Sequence, residues 1–370
     1  MPRILVAMSG GVDSSVAALL LLQAGNDCEG VTLRLHDDTA AEDDAVAVCD
    51  FLGIRHHIWD MTALFHRTVV DPFVAGYRRG ETPNPCIDCN REIKFGALLA
   101  QARAEGFDAL ATGHYARIGR DGGGSASATS SASATATSSE SPPYRLYNAS
   151  DPAKDQSYVL FQLGQNELAY LRFPLGGLSK QQVYGLAAAA GLPSADRPES
   201  QDICFIPNGD YRDFLRRHDG QAMETAQFAQ SGEIVDSDGR LLGYHTGITD
   251  YTIGQRRGLG VAVGHPLYVI GIDVASNRII VGEEQQLYCR KALLRGFSAP
   301  VPQDLEPVME VSAKYRYRSA AAAARLVMFD DGRWEVQFFE PQKALTPGQA
   351  CVCYQADQVV AGGIIDKVRK

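Results

Sequence analysis

The chain has 370 residues, 45% of them hydrophobic and 21% charged, with 36 glycines, which at about 150 residues per domain allows two to three domains. Those values exclude a small disulfide-held scaffold, a chain disordered throughout and a collagen-like repeat. Thirty-five Lys and Arg against 44 Asp and Glu leave a net charge of -9, so any nucleic acid must be met by local basic patches rather than by a general positive coat.

The first hundred residues alternate strand and helix patterns. Strands are predicted at 3–7, 28–35, 56–59 and 109–111, and helices at 14–24, 40–52 and 90–105. Such alternation implies a parallel sheet covered on both faces, an α/β doubly wound nucleotide-binding domain. Residues 119–143, GRDGGGSASATSSASATATSSESPP, carry almost no large apolar side chain and are expected to form a disordered surface insertion. A strand resumes at Tyr144, and a helix over 179–190 has Ser179 as its cap and Gly191 past its end. From about Gly232 the pattern becomes hairpins around Asp238-Gly239, Ala275-Asn277 and Asp330-Gly332, which predicts antiparallel β-structure over the last third. The expected division is 1–205 for the doubly wound nucleotide-binding domain, 206–283 for a small central domain and 284–370 for a C-terminal antiparallel β-barrel.

No run reaches the ~18 apolar residues of a membrane span, and the start MPRILVAMSGG lacks a signal-peptide layout. The expectation is a cytoplasmic protein with no membrane partner. The eight cysteines then read as thiols, metal ligands or catalytic groups rather than structural disulfides. Cys28, Cys49, Cys289, Cys351 and Cys353 lie among apolar residues and read as small hydrophobes. Cys86, Cys89 and Cys204 need another explanation.

The first strand runs straight into Ser9-Gly10-Gly11-Val12-Asp13-Ser14-Ser15 and a helix start, a phosphate cradle. It lacks the Gly-Lys-Ser/Thr ending of the P-loop and the G-x-G-x-x-G of dinucleotide sites. Its hydroxyls and the Asp13 carboxylate suit pyrophosphate with Mg²⁺. SGGVDS after an N-terminal strand resembles the pyrophosphate loop of ATP pyrophosphatases, which cleave ATP between the α- and β-phosphates and leave AMP on an acceptor.

Thr82-Pro-Asn-Pro-Cys86-Ile-Asp-Cys89-Asn90 sets two thiols three apart on a proline-held turn, before the expected helix with Arg91 and Lys94. A helix dipole and two cations would lower the Cys89 pKa and make it a nucleophile. With Cys204 in SQDICFI, the set fits transfer of sulfur from a cysteine persulfide, a second cysteine closing a disulfide to release it. The competing reading is an iron–sulfur cluster on Cys86, Cys89 and Cys204.

Further motifs are ATGHYA at 111–116, KDQSY at 154–158, YTIGQRRGLG at 251–260, AKYRYR at 313–318 and LTPGQ at 345–349. Together with SGGVDSS, NPCIDCNREIKFG and SQDICFI, the set resembles the tRNA-specific 2-thiouridylases over essentially the whole chain. The resemblance implies adenylation of the C2 carbonyl of wobble uridine and its replacement by sulfur. It assigns ATP to Ala7, Met8, Ser9, Gly10, Gly11, Val12, Asp13 and Ser14, with Leu33 at the adenine and Gly113 near the nucleotide. Asp13, Cys89 and Cys204 become catalytic, Cys89 as nucleophile and Cys204 as persulfide carrier. Asn84, Pro85 and Cys86 would meet the target base, while His114, Lys154, Asp155, Gln156, Arg316, Tyr317 and Gln349 would contact tRNA. Lysine, glutamate and glutamine tRNAs, and a cysteine desulfurase or sulfur-relay protein as donor, are the implied partners. Many members of that family carry Asp where this chain has Cys86, which keeps the cluster reading open. Another ATP pyrophosphatase, or an RNA-binding protein switched by ATP, are the remaining alternatives.

Overall fold

A computed structural model describes residues 1–36, 40–120, 142–197, 203–206, 209–221, 230–261 and 263–370. The expected insertion therefore lies, except for its two ends, outside the described residues, as do Glu199 to Asp202 of the third cysteine's motif.

The first strands are β1 (Arg3–Ala7), β2 (Asp27–Arg34), β3 (His56–Asp60) and β4 (Ala109–Ala111). They pair in parallel, with Val6 opposite both Gly30 and Ala111. Ile4, Leu5 and Val6 are buried on both faces, as a continuous apolar run in a covered parallel sheet requires. Helices Val12–Gln23 and Ala40–Leu52 follow β1 and β2.

The helix expected from Asn90 instead begins at Pro85. The Asn84 side chain accepts a hydrogen bond from the Cys86 N–H (3.1 Å), and Pro85 supplies a fixed φ at the first helical position. The segment is α-helical to Asp88, π-wound over Cys89–Leu98, and α-helical again over Leu99–Ala104. Both thiols are thus on the helix, not ahead of it.

Strands β5 (Ala116–Arg120) and β6 (Tyr144–Asn148) form an antiparallel pair, and the short β7 (Leu171–Arg172) completes the parallel sheet in the order β3-β2-β1-β4-β7. Helix Lys180–Ala189 carries a Ser179–Gln182 capping box. Helix Tyr211–Gln221 leads to the central sheet of β8 (Gly232–Val235), β9 (Leu241–His245), β10 (Tyr268–Asp273) and β11 (Arg278–Gly282). Its order is β10-β11-β8-β9, and β11 pairs with β8 in parallel, so the all-antiparallel expectation fails at this one junction. Local turn signals report hairpins, whereas the pairing of one hairpin with another is set by their docking.

Strands β12 (Tyr288–Ser298), β13 (Val308–Lys314), β14 (Ala322–Met328), β15 (Trp334–Lys343), β16 (Ala350–Gln355) and β17 (Gln358–Arg369) make the C-terminal barrel. Strand β12 pairs with both β15 and β17, which closes the ring and removes its edges. The β5–β6 pair joins the outside of this sheet through Gln358 opposite Tyr147. One apolar core runs from Leu5 and Val31 through Ile93, Leu146 and Tyr158 to Val352 and Tyr354, so the barrel and the parallel-sheet domain share an interior. No helix among the described residues is long and apolar enough to cross a membrane.

Candidate active site

Strand β1 ends at Ala7, and the loop beyond it is tied to β2. The Met8 N–H donates to Val31 O (2.8 Å) and Met8 O accepts from the Thr32 hydroxyl (2.9 Å). Gly10 takes φ +72°, a left-handed turn that favours glycine. Ser14 Oγ accepts from the Ser9 N–H (3.2 Å) and donates to Gly11 O (3.1 Å), while Ser15 Oγ donates to Gly11 O (2.8 Å). Ser14 and Ser15 therefore shape the loop from inside, Val12 is buried, and the exposed hydroxyl is that of Ser9. No side chain caps the helix that starts at Val12, so its first N–H groups are available to an anion. Leu33 is half-buried on β2.

Asp13 is held by two residues the sequence reading did not single out. The Lys180 ammonium lies 2.8 and 2.9 Å from its two oxygens, and the Tyr115 hydroxyl donates to Oδ1 at 2.6 Å. The Tyr184 ring lies beside the same ammonium, 4.7 Å from its centroid. Lys180 is 167 positions away in sequence and stands in an ordinary first helical turn, so no local signal could have found it. Gly113 packs directly on the loop: a Cβ there would lie 2.9 Å from Asp13 C and from Ser14 N. Hard oxygen donors at Asp13 and Ser9 beside unpaired amides fit Mg²⁺, which binds through one or two carboxylates together with substrate phosphates.

Around the cysteines, Cys86 and Cys204 are exposed and Cys89 is 8% exposed; all eight cysteines are free thiols. Lys94 stands five residues after Cys89, one turn of the π-wound segment, and its charge acts on all three thiols. Burial nonetheless outweighs it and raises every one of them, Cys204 to about 11. Cys86 reaches solvent, yet burial is the larger influence on its thiol. The expected lowering of the Cys89 pKa is thus overturned: Cys89 lies past the helix's first turn, and Arg91 is engaged by Glu92 (2.6 Å) and Asp88 (3.2 Å) rather than by a thiol. Among the described residues no three His, Cys, Asp or Glu are arranged to hold a metal ion. Cys86, Cys89 and Cys204 are thus not gathered around a common metal position.

A chain of contacts joins the loop to the cysteine helix. Gly113 abuts Asp13, and the next residue, His114, lies against Phe95 of the cysteine helix with ring centroids 5.6 Å apart. His114 also feels the Lys94 charge that acts on the cysteines. It is buried, bonded to the Thr112 hydroxyl at 2.7 Å, and burial holds its pKa well below 6.5, so it is a neutral imidazole.

The residues that the resemblance assigns to tRNA fall into two groups. Asn84 and Pro85 start the cysteine helix. Asp155 is buried and accepts from Ala149 N (3.0 Å), Ser157 N (3.2 Å) and the Ser157 hydroxyl (2.9 Å), with Lys314 of the barrel at 3.7 Å. Gln156 accepts from Tyr115 N (2.9 Å). Neither His114 nor Asp155 reaches the surface. Lys154 is half-buried, Tyr317 is 39% exposed with its ring edge toward Tyr158, and Arg316 donates to Ala344 O (2.6 Å). Gln349 donates to Thr82 O (2.5 Å), and the Thr82 N–H donates to Pro347 O (2.9 Å). Between them, a Cβ on Gly348 would lie 2.9 Å from Glu81 Cβ and from Thr82 N. Arg295 adds two bonds of 2.8 Å to Glu81. The barrel thereby grips the loop from which the cysteine helix starts, a contact the sequence reading missed.

The chain matches the models of the tRNA methyl transferase HUP domain over residues 2–208, the tRNA methyl transferase PRC-barrel domain over 214–283 and the aminomethyltransferase beta-barrel domain over 296–365. It is 48% identical over 379 residues to the tRNA-specific 2-thiouridylase MnmA of Roseiflexus castenholzii, covering 99% of each chain. Proteins of the same name from Chloroflexus aurantiacus and Acidithiobacillus ferrooxidans are 46% and 45% identical, over 99% and 98% of this chain. The domain labels speak of methyl transfer, whereas these relatives match from end to end under the thiouridylase name.

Proposed function

The chain belongs to the tRNA-specific 2-thiouridylase family, and from that membership we infer how its own residues divide the work of an ATP-dependent tRNA 2-thiouridylase. The reaction exchanges the C2 oxygen of the wobble uridine for sulfur. A carbonyl oxygen leaves poorly, and converting it to an AMP ester before sulfur attacks splits one hard displacement into two feasible ones.

Ser9, Gly10, Gly11 and the uncapped amides at Val12 to Ser14 cradle the pyrophosphate of ATP, with Ala7 and Met8 beneath them, Leu33 at the adenine side and Gly113 closing the rear. Asp13, steadied by Lys180 and Tyr115, is the carboxylate that would hold Mg²⁺, which when bound neutralises phosphate charge. Cys204 is exposed and can receive sulfur from a cysteine desulfurase or relay protein as a persulfide. Cys89, buried beside it, attacks the inner persulfide sulfur and releases the thiolated base. Burial raises both thiols, which favours loss of the proton during the step over a resting thiolate. Asn84 and Pro85 orient Cys86 and Cys89 beside the flipped base; flipping costs little in an unpaired anticodon loop. Lys154, Arg316, Tyr317 and Gln349 meet tRNA directly, whereas His114, Asp155 and Gln156 position the surfaces that do. We place the working units at 1–205, 206–283 and 284–370, the site of action in the cytoplasm, and the substrates among the lysine, glutamate and glutamine tRNAs.

The observation that supports this division is the run Asp13, Gly113, His114 and Phe95, which leads from the phosphate loop to the helix that carries Cys86 and Cys89. The test is thiolation of unmodified tRNA with ATP, a cysteine desulfurase and cysteine, using protein purified without oxygen and assayed for iron and labile sulfide. Little iron with activity lost in Cys89→Ser and in Cys204→Ser supports the assignment. Stoichiometric iron that tracks activity overturns it.

A further inference from the structure

The cysteine helix carries one more nucleophile than this reaction uses. Cys86 and Cys89 stand three apart on one helix, and side chains so spaced have Cβ atoms about 5–6 Å apart. A small adjustment brings them to the ~3.5–4.5 Å that a disulfide spans. Phe205, the residue after Cys204, packs against the apolar core that includes Cys89, and Cys204 feels the charge of both helix thiols. Accessibility divides them: Cys86 and Cys204 reach solvent, and Cys89 does not.

We propose that Cys86 is a resetting thiol, which moves the disulfide left by sulfur transfer off Cys204 and presents it to an outside reductant. The proposal rests on the persulfide reading above. In that reading the outer sulfur of the Cys204 persulfide displaces AMP at C2. Cys89 then attacks Cys204 Sγ, the old S–S bond breaks toward the base, and a Cys89–Cys204 disulfide remains. The Cys86 thiolate next attacks Cys89 Sγ. A Cys86–Cys89 bond forms, the Cys89–Cys204 bond breaks, and its electron pair leaves on Cys204, which takes up a proton. This exchange involves no net oxidation. A thiol reductant of the glutathione or thioredoxin class then attacks Cys86 Sγ with the electron pair leaving on Cys89, and a second reductant thiol resolves the mixed disulfide, so both helix cysteines return to thiols and the reductant leaves as its own disulfide. Reduction by attack at Cys204 would instead cap the group that must accept the next persulfide.

The experiment loads the protein with polysulfide, allows one turnover with ATP, Mg²⁺ and unmodified tRNA, quenches with acid and an alkylating agent, and maps disulfides by mass spectrometry. Wild type, Cys86→Ser and Cys86→Asp are compared. The expected result is a Cys86–Cys89 bond with alkylated Cys204 in wild type, and a Cys89–Cys204 bond in both variants. Wild type that retains Cys89–Cys204 overturns the resetting role and leaves the function standing, and this arm needs no variant to fold. Formation of 2-thiouridine with no intramolecular disulfide in any of the three proteins overturns the persulfide–disulfide reading, and the resetting role with it.

Discussion

Replacing Arg295 by Met should loosen the barrel's hold on the loop that launches the cysteine helix. Arg295 donates twice to Glu81 at 2.8 Å and once to Asp366 at 3.2 Å, and Glu81 also accepts from Arg79 at 2.9 Å. An exposed ion pair contributes about 0–1 kcal/mol, and breaking one side of a buried pair costs about 3–5 kcal/mol. Glu81 is 12% exposed and Arg295 39% in their side chains, so this two-pronged contact falls between, at roughly 1.5–2.5 kcal/mol. A double-mutant cycle with Glu81→Gln, read by thermal denaturation and by kcat/KM for tRNA, isolates the pair, and a coupling of about 1–2 kcal/mol is expected. A coupling below about 0.5 kcal/mol would mean that the pair does not hold the barrel to the loop. The pH dependence has a definite sign. Burial alone would raise the Glu81 carboxyl, but the hydrogen bonds and charges of Arg295 and Arg79 outweigh it and hold the group below 4.5. The folded carboxyl is more acidic than the unfolded one, so this stabilisation is complete above the unfolded pKa and is lost as pH falls through the lower folded value. Arg295→Met should flatten that acid limb.

Gly113→Ala places a methyl 2.9 Å from the backbone of Asp13 and Ser14, and overpacking of this kind costs about 1–3 kcal/mol. Because the phosphate loop itself must give way, KM for ATP in pyrophosphate exchange should rise roughly tenfold or more; an unchanged KM would contradict the close packing. Lys180→Met removes both ammonium bonds to Asp13, leaving it the Tyr115 hydroxyl among the described residues, and should lower thermal stability by about 1–3 kcal/mol and weaken ATP-dependent stabilisation, with Lys180→Arg recovering part of both. Alkylation of Cys204, whose thiol burial pushes up to about 11, should speed up about tenfold per pH unit between roughly pH 7 and 9.5. A plateau near pH 8 would show that burial does not control this thiol. Lys94→Gln should slow the reaction, because the ammonium is the cation that lowers all three thiols.

The phosphate loop, the strand–helix alternation before it and after it, the Ser179 cap and the three hairpin turns were legible because each is a local device. A glycine turn, a cap or a period of two acts within a few residues, and neighbouring sequence suffices to state it. The helix start at Pro85, expected at Asn90, has a local signal of its own in Asn84 followed by proline, so that difference is one of cap chemistry rather than of distant packing. What only the tertiary structure decided is everything that joins distant segments: Lys180 on Asp13, Arg295 on Glu81, Gln349 on Thr82, the closure of β12 on β17 and the parallel pairing of β8 with β11. The sign of the cysteine pKa shifts belongs with these. The charges near a thiol can be read from its own helix, but the protein packed around it comes from elsewhere in the chain, and at these three sulfurs desolvation outweighs Coulomb attraction.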